Sequence, residues 1–226
     1  VIISHKYKFI FIKTKKTAGT SIEVFLSGFC GNHDVLTPIK PPVQSHICRN
    51  FKGVFNPFPE LYENIPLKRT LHDFFVFNRF YNHMPAVLVR ARISKKKWNS
   101  YYKFCVERNP WDKTISHYYM KQLKAGYNYS LDDYFKQADF CLNIQRYTDR
   151  KNNVIVDRIL NYENLNKGLG EVFNALGIPF DGELGFTAKG NIRKDKRHYR
   201  DILTREQKHI VEKVFEKEIA LHGYHF

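Results

Sequence analysis

The stretch Phe9-Ile10-Phe11-Ile12-Lys13-Thr14-Lys15-Lys16-Thr17-Ala18-Gly19-Thr20-Ser21-Ile22-Glu23 constrains this chain more than any other. An apolar run suited to a buried strand enters a short loop of Lys, Gly and hydroxyl residues, and the loop enters a helix. The N–H groups of a helix's first turn lack intrahelical partners, and the helix dipole adds partial positive charge there. Such a junction is a cradle for phosphate or sulfate. Gly19 allows close approach of the backbone, Lys16 supplies a full charge, and Thr17, Thr20 and Ser21 supply hydroxyl donors. In a Walker loop the Lys directly follows the last Gly of G-x-x-x-x-G-K-[ST]. Here Lys16 precedes Gly19 and the upstream Gly is missing, so the loop is not a standard ATP or GTP loop. On the loop alone, an ordinary strand–turn–helix connection with capping residues is an equal alternative.

Further along, residues 102–106 read as a second strong strand and 154–160 as a third, while 74–80 reads as a weaker one. Helices are expected over 20–26, 93–100, 110 to about 124, 131–137, 165–176 and 204–222. Pro110 suits a first helical turn, Ser130 with Asp133 makes a capping box, and Gly177 with Pro179 closes the helix before them. Residues 37–68 hold Pro38, Pro41, Pro42, Pro57, Pro59 and Pro66 and read as an irregular insert of the kind that forms lids or binding loops. Strands alternating with helices predict an α/β fold with a central, mainly parallel sheet flanked by helices, in a single domain over 1–226.

Parallel strands lead to crevices beyond their carboxyl ends. The strand 102–106 runs into Glu107 and Arg108, as the strand 7–12 runs into the Lys16 loop. If the two strands are neighbours, Arg108 and the loop face one crevice, with Ser116 on the following helix adding a hydroxyl. An Arg can grip a phosphate bidentately. Two anion grips suit a ligand phosphorylated at both ends, such as a 3′-phosphorylated adenosine 5′-phosphosulfate. The competing account of Arg108 is a salt bridge to Glu107 or Asp112.

The net charge of +15 draws polyanions without naming one. Cys30, Cys48, Cys105 and Cys141 form neither a C-x-x-C pair nor a zinc-ligand pattern, and are expected as reduced thiols with Cys105 buried. No metal cluster is apparent. No apolar run reaches membrane-spanning length and no signal peptide is visible. The expectation is a soluble, cytoplasmic-type protein, lumenal only if an anchor precedes Val1.

Lys16-Thr17-Ala18-Gly19-Thr20-Ser21 resembles the 5′-phosphosulfate loop of sulfotransferases that use PAPS (3′-phosphoadenosine 5′-phosphosulfate). Val106-Glu107-Arg108-Asn109-Pro110-Trp111-Asp112-Lys113 through Ser116 resembles their 3′-phosphate element. His83-Met84-Pro85-Ala86, Asn161-Tyr162-Glu163-Asn164-Leu165 and His222-Gly223-Tyr224-His225-Phe226 are similar to segments of the carbohydrate branch, which includes heparan sulfate 2-O-sulfotransferase-like enzymes. The family usually has Pro where this chain has Lys15.

The resemblance implies a P-loop-like fold and transfer of a sulfuryl group from PAPS, as co-substrate and without a metal, to a hydroxyl. It implies His83 as base and Lys16 as stabiliser of the leaving phosphate. Thr17, Ala18, Gly19, Thr20 and Ser21 would hold the 5′-phosphate, and Arg108 and Ser116 the 3′-phosphate. Glu107 and His117 are weaker candidates for the base. Lys189, Arg193, Lys194 and Arg197 would close over the nucleotide or meet an acidic acceptor, or form a solvated basic loop. A glycan is the favoured acceptor, acidic ones included; a small metabolite or lipid-linked sugar also fits. Two other classes compete. A phosphoryl-transfer enzyme would add a Mg²⁺-binding acid and a Walker Gly-Lys-Ser/Thr. A nucleic-acid-binding module would use the charge with Tyr101, Tyr102, Tyr118 and Tyr119, but no nucleic-acid motif appears and nucleic acid is not expected as a partner.

Overall fold

The computed structural model describes residues 1–226 except 64, 127, 187 and 189–191. Its centre is a five-stranded sheet of β1 (Ile2–Ser4), β2 (Phe9–Phe11), β3 (Val35–Leu36), β4 (Tyr102–Glu107) and β5 (Arg158–Asn161), in the order β3-β1-β2-β4-β5. The parallel core is β2, β4 and β5, with Phe9 opposite Tyr102 and Cys105 opposite Ile159. On the other side β1 pairs antiparallel with both β2 and β3, so the sheet is mixed.

Alternation along β2 and β4 sends side chains to two cores. Phe9, Phe11, Phe104 and Val106 join Ile22 and Leu26 of α1 (Gly19–Ser27) on one face; Ile10, Ile12 and Cys105 join Met84, Leu88 and Tyr147 on the other. Both faces are therefore apolar, as a sheet covered on each side requires. Each fully buried Phe or Ile contributes about 1.5–3 kcal/mol.

The remaining helices are α2 (Phe58–Leu61), α3 (Leu67–Phe75), α4 (Ala86–Arg92), α5 (Lys95–Ser100), α6 (Pro110–Ala125), α7 (Leu131–Gln137), α8 (Ile144–Tyr147), α9 (Leu165–Leu176), α10 (Arg205–Val214) and α11 (Glu216–His222). A third core forms where α6 meets α7, α10 and α11 around Trp111, Ile115, Tyr134 and Phe215. Tyr118 and Tyr119 pack against this core, and Tyr101 is buried in another. The capping box of Ser130 and Asp133 forms as the sequence predicts.

Three expectations are corrected. The segment 74–80 is not a strand: α3 runs through Phe75, because Thr70 and Asp73 turn inward to Glu60 and Arg92 and hold the helical register. The third strand begins at Arg158; Val154 makes only an isolated bridge to Thr148. The expected helix 204–222 breaks at Phe215, whose buried ring packs against Phe140 while α11 turns Glu218 into the interior. The described residues of 37–68 are mostly irregular, with α2 and the start of α3 helical. No helix among the described residues is long and apolar enough to cross a membrane. All four cysteines are free, and Cys105 is buried.

Candidate active site

β2 and β4 are neighbours, and the segments leaving their carboxyl ends meet. The Arg108 guanidinium donates to the Lys16 carbonyl at 3.1 Å. Both residues line one cavity of about 460 Å³. The loop from Lys13 to Ser21 forms one wall, together with His83; Ser116, His117, Met120 and Lys124 of α6 form another; Arg193 and Lys196 close a third side. Lys13, Lys15, Lys16, Arg108, Lys124, Arg193 and Lys196 all line the cavity, and among the described residues no Asp or Glu does. A cavity so lined attracts an anion of several charges.

The loop is held by its own polar groups. Thr14 donates to the Val106 carbonyl at 2.5 Å, so the Thr17 hydroxyl, 2.7 Å from it, donates its hydrogen to Thr14. Thr17 thus faces the cavity with its hydroxyl hydrogen already committed. Lys16 and Ala18 stand in the left-handed region, at φ 64° and 56°. Such alternation turns successive N–H groups toward a common point, the geometry of an anion nest. No side chain caps α1, which leaves its first-turn N–H groups to a ligand. Asn143 grips Lys15 from outside: its Oδ1 accepts from the Lys15 N–H at 2.9 Å and its Nδ2 donates to the Lys15 carbonyl at 3.0 Å.

Gly19 is required by close packing. A Cβ there would lie 2.7 Å from the Lys13 Cγ. Lys13 is itself buried and ion-paired to Glu23 at 2.6 Å, so it cannot withdraw. Gly19→Ala is expected to destabilise the fold by about 1–3 kcal/mol through overpacking, read as a shift of the urea midpoint at constant slope. An unshifted midpoint would show that the loop can relax around a methyl group.

Arg108 is both a salt-bridge partner and a cavity residue. Its Nε donates to Asp112 at 2.8 Å, and its guanidinium lies 4.1 Å from the Tyr162 ring centroid. Asp112 also receives Arg193 at 2.5 Å. Although burial works the other way, these two guanidinium groups hold the Asp112 carboxyl below its usual range. The same carboxylate therefore orients two cavity cations. Next to Tyr162, Glu163 accepts the Asn109 N–H at 2.6 Å and so fixes the turn that carries Arg108.

His83 sits at φ 58°, an arrangement that costs about 1–3 kcal/mol for a non-glycine residue. It is secured on both sides: Arg146 donates to its carbonyl, and its Nδ1 lies 3.1 Å from the Lys13 carbonyl. A carbonyl only accepts, so Nδ1 carries the hydrogen and Nε2 keeps its lone pair. Burial, with the charges of Lys13 and Arg146, pushes the His83 pKa down to about 2. His117, bonded to the Tyr134 hydroxyl at 3.0 Å, is pushed down to about 4 by burial and by Lys16.

Lys16, Thr17, Ala18, Gly19, Thr20, Ser21, His83, Arg108, Ser116 and Arg193 thus share the cavity. Ser21 in addition accepts the Ala188 N–H at 3.0 Å, tying the basic segment to α1. Lys194 is exposed and does not line the cavity; Lys196 takes that place. Arg197 is exposed and pairs with Asp195 at 2.7 Å, and Lys189 lies outside the described residues. Glu107 is fully buried and bonds the Arg108 N–H, Lys113, Asn143 and Tyr147, which makes it a support beneath the site and not a base within it. Lys13, Lys124 and Met120 are lining residues to which the sequence assigned no role, and Tyr162 lies in a segment read only as part of the resemblance. Lys124 had a readable signal, since it stands eight positions after Ser116 on the same helix face.

No family model matches the chain. An uncharacterized protein of Archaeoglobus fulgidus is 39% identical over 118 residues, which span 49% of this chain and 98% of that protein. The chain belongs to the same family as that archaeal protein. Among solved structures, retinol dehydratase in complex with androsterone and PAP is similar at a TM-score of 0.46 and 12% identity, over 99% of this chain and 84% of that one. Mouse sulfotransferase SULT7A1 complexed with PAP is similar at a TM-score of 0.48 and 15% identity, over 96% and 85%. At these identities the likeness concerns the fold alone.

Proposed function

We propose that the cavity binds PAPS and that the chain transfers its sulfuryl group to a hydroxyl, a carbohydrate hydroxyl in the first instance. The observation that carries this reading is the meeting of the Lys16 loop, Arg108 and His83 in one cationic cavity. The loop alone would suit any phosphate. A second grip at Arg108 suits a ligand phosphorylated at two places, and a neutral imidazole between cations suits deprotonation of a hydroxyl. The likeness of His83-Met84-Pro85-Ala86 to the carbohydrate branch supports a sugar as acceptor. With no carboxylate among the described lining residues, the cavity offers no acidic ligand of the kind that holds Mg²⁺ in kinases.

The reaction divides among these residues. The acceptor oxygen bonds to sulfur as the bond from sulfur to the bridging 5′-phosphate oxygen breaks. The acceptor proton passes to His83 Nε2, and the negative charge left on the 5′-phosphate is met by Lys16 and the α1 N-terminus. Arg108, stacked on Tyr162 and oriented by Asp112, and Ser116 hold the 3′-phosphate. Products are the sulfate ester, adenosine 3′,5′-bisphosphate and a proton.

Incubation with PAPS and a panel of sugar hydroxyl acceptors is the direct test: a sulfated product is expected, and absence of both product and bisphosphate binding overturns the reading. Arg108→Ala is expected to weaken adenosine 3′,5′-bisphosphate by about ten- to a hundredfold, the worth of a hydrogen bond to a charged group. Adenosine 5′-phosphate should weaken far less. Calorimetric titration of both ligands checks this, and equal losses would remove Arg108 from the 3′-phosphate.

A further inference from the structure

Helix α3 is inverted with respect to water. Its inward residues are polar: Thr70 donates to Glu60 at 2.7 Å, and Asp73 receives Arg92 at 2.9 Å. Its outward residues Leu67, Leu71 and Phe75 follow one another at helical spacing and are 41% to 72% exposed. Phe58, Leu61 and Tyr62 of the neighbouring α2 segment are exposed as well. An ordinary surface helix shows the opposite pattern, and a continuous apolar patch marks a surface that meets something other than water.

The charges around the patch identify what that is. Residues 54–77 contain three acids, Glu60, Glu63 and Asp73, and all three turn toward α4. Glu60 meets Arg92 at 2.5 Å, Asp73 meets Arg92 at 2.9 Å, and Glu63 meets Arg90. The neighbouring cations Lys52, Lys68 and Arg69 stay exposed. The outer face therefore presents Leu, Phe and Tyr side chains among basic groups, with every local carboxylate withdrawn. Apolar and aromatic side chains flanked by Lys and Arg match the boundary of an anionic bilayer, where the side chains enter the acyl edge and the cations meet headgroups. A second copy of the chain fits less well, because two such faces would set like charges against each other.

We propose that the α2–α3 face docks the protein on an anionic lipid bilayer. The proposal does not depend on the chemistry of the cavity. Co-sedimentation of the chain with phosphatidylcholine vesicles, with and without phosphatidylserine, tests it. The chain is expected to sediment with the serine-containing vesicles, and raised salt should weaken the association. Leu71→Glu combined with Phe75→Glu should lower the association by at least about tenfold at an unchanged melting temperature. Phe58→Ser with Tyr62→Ser reads the same face from α2. Lys213→Glu, on the exposed side of α10, should have at most a small effect. Failure to sediment with anionic vesicles would overturn the proposal, as would vesicle binding by the α3 and α2 variants equal to that of the unaltered chain. A concentration-dependent dimer abolished by the α3 variant would overturn it too, and would assign the face to a second copy.

Discussion

Replacing His83 by alanine is expected to lower kcat for sulfuryl transfer by about 10²–10⁴-fold, the usual contribution of a positioned base. Affinity for adenosine 3′,5′-bisphosphate should change little, because the loop, Arg108 and Ser116 remain. The tautomer makes the imidazole suitable: with its Nδ1 hydrogen on the Lys13 carbonyl, Nε2 is the acceptor. Single-turnover rates with saturating donor, together with titration of the bisphosphate, separate the two effects. Near-parental turnover by the variant would remove His83 from the chemistry.

A pKa of about 2 makes His83 a weak base in the free protein. Part of that depression comes from Lys13 and Arg146, and a polyanionic donor in the same cavity opposes their field. Bound donor is therefore expected to raise the His83 pKa. The acid limb of kcat, which reports the donor complex, should consequently lie at higher pH than any His83 limb of kcat/KM, which reports the free protein. The depressed pKa also bears on stability. The unfolded chain binds a proton at His83 below about pH 6.5 where the folded chain does not, so this residue's contribution declines as the pH falls.

What the sequence disclosed of the site follows from local chemistry. The Lys16 loop, Arg108 at the end of β4 and Ser116 on α6 are each legible because strand, turn and helix signals fix their places along the chain. Their convergence requires only that β2 and β4 be neighbours. Lys196 and not Lys194 lines the cavity, a choice the sequence does not disclose because an irregular segment has no period from which to read a face. Lys13 carries no local signal of a place in the site; its position there comes from Glu23, ten positions away, which holds it against Gly19. The error at 74–80 has the same origin. Phe and Val favour strands, but Asp73 and Thr70 are drawn to Arg92 and Glu60, and these tertiary pairs override local preference. Strands β1 and β3 are only three and two residues long, too short to give a periodic signal.

The largest loss of stability is expected from Lys113→Met. The Lys113 ammonium lies between Glu107 at 2.8 Å and Glu218 at 2.5 Å, and all three side chains are fully buried. Burial alone would lower the Lys113 pKa, but the two carboxylates raise it, so the cation is held. Removing one member of a buried ionic group leaves uncompensated charge and costs about 3–5 kcal/mol, a fall in melting temperature of about 6–20 °C for a chain of this size. The damage reaches the cavity. Glu218 accepts the Asn143 and Ile144 N–H groups at 2.6 and 2.8 Å, and Asn143 in turn grips the Lys15 backbone. Bisphosphate affinity should therefore fall even under conditions where the variant remains folded. Adding Glu218→Gln should recover part of the stability, because the amide oxygen still accepts from Asn143 and Ile144 while one unpaired charge is removed. Denaturant melts of the single and double variants decide this: a loss below about 1 kcal/mol in Lys113→Met, or a further loss on adding Glu218→Gln, would mean that the triad does not hold the floor of the site.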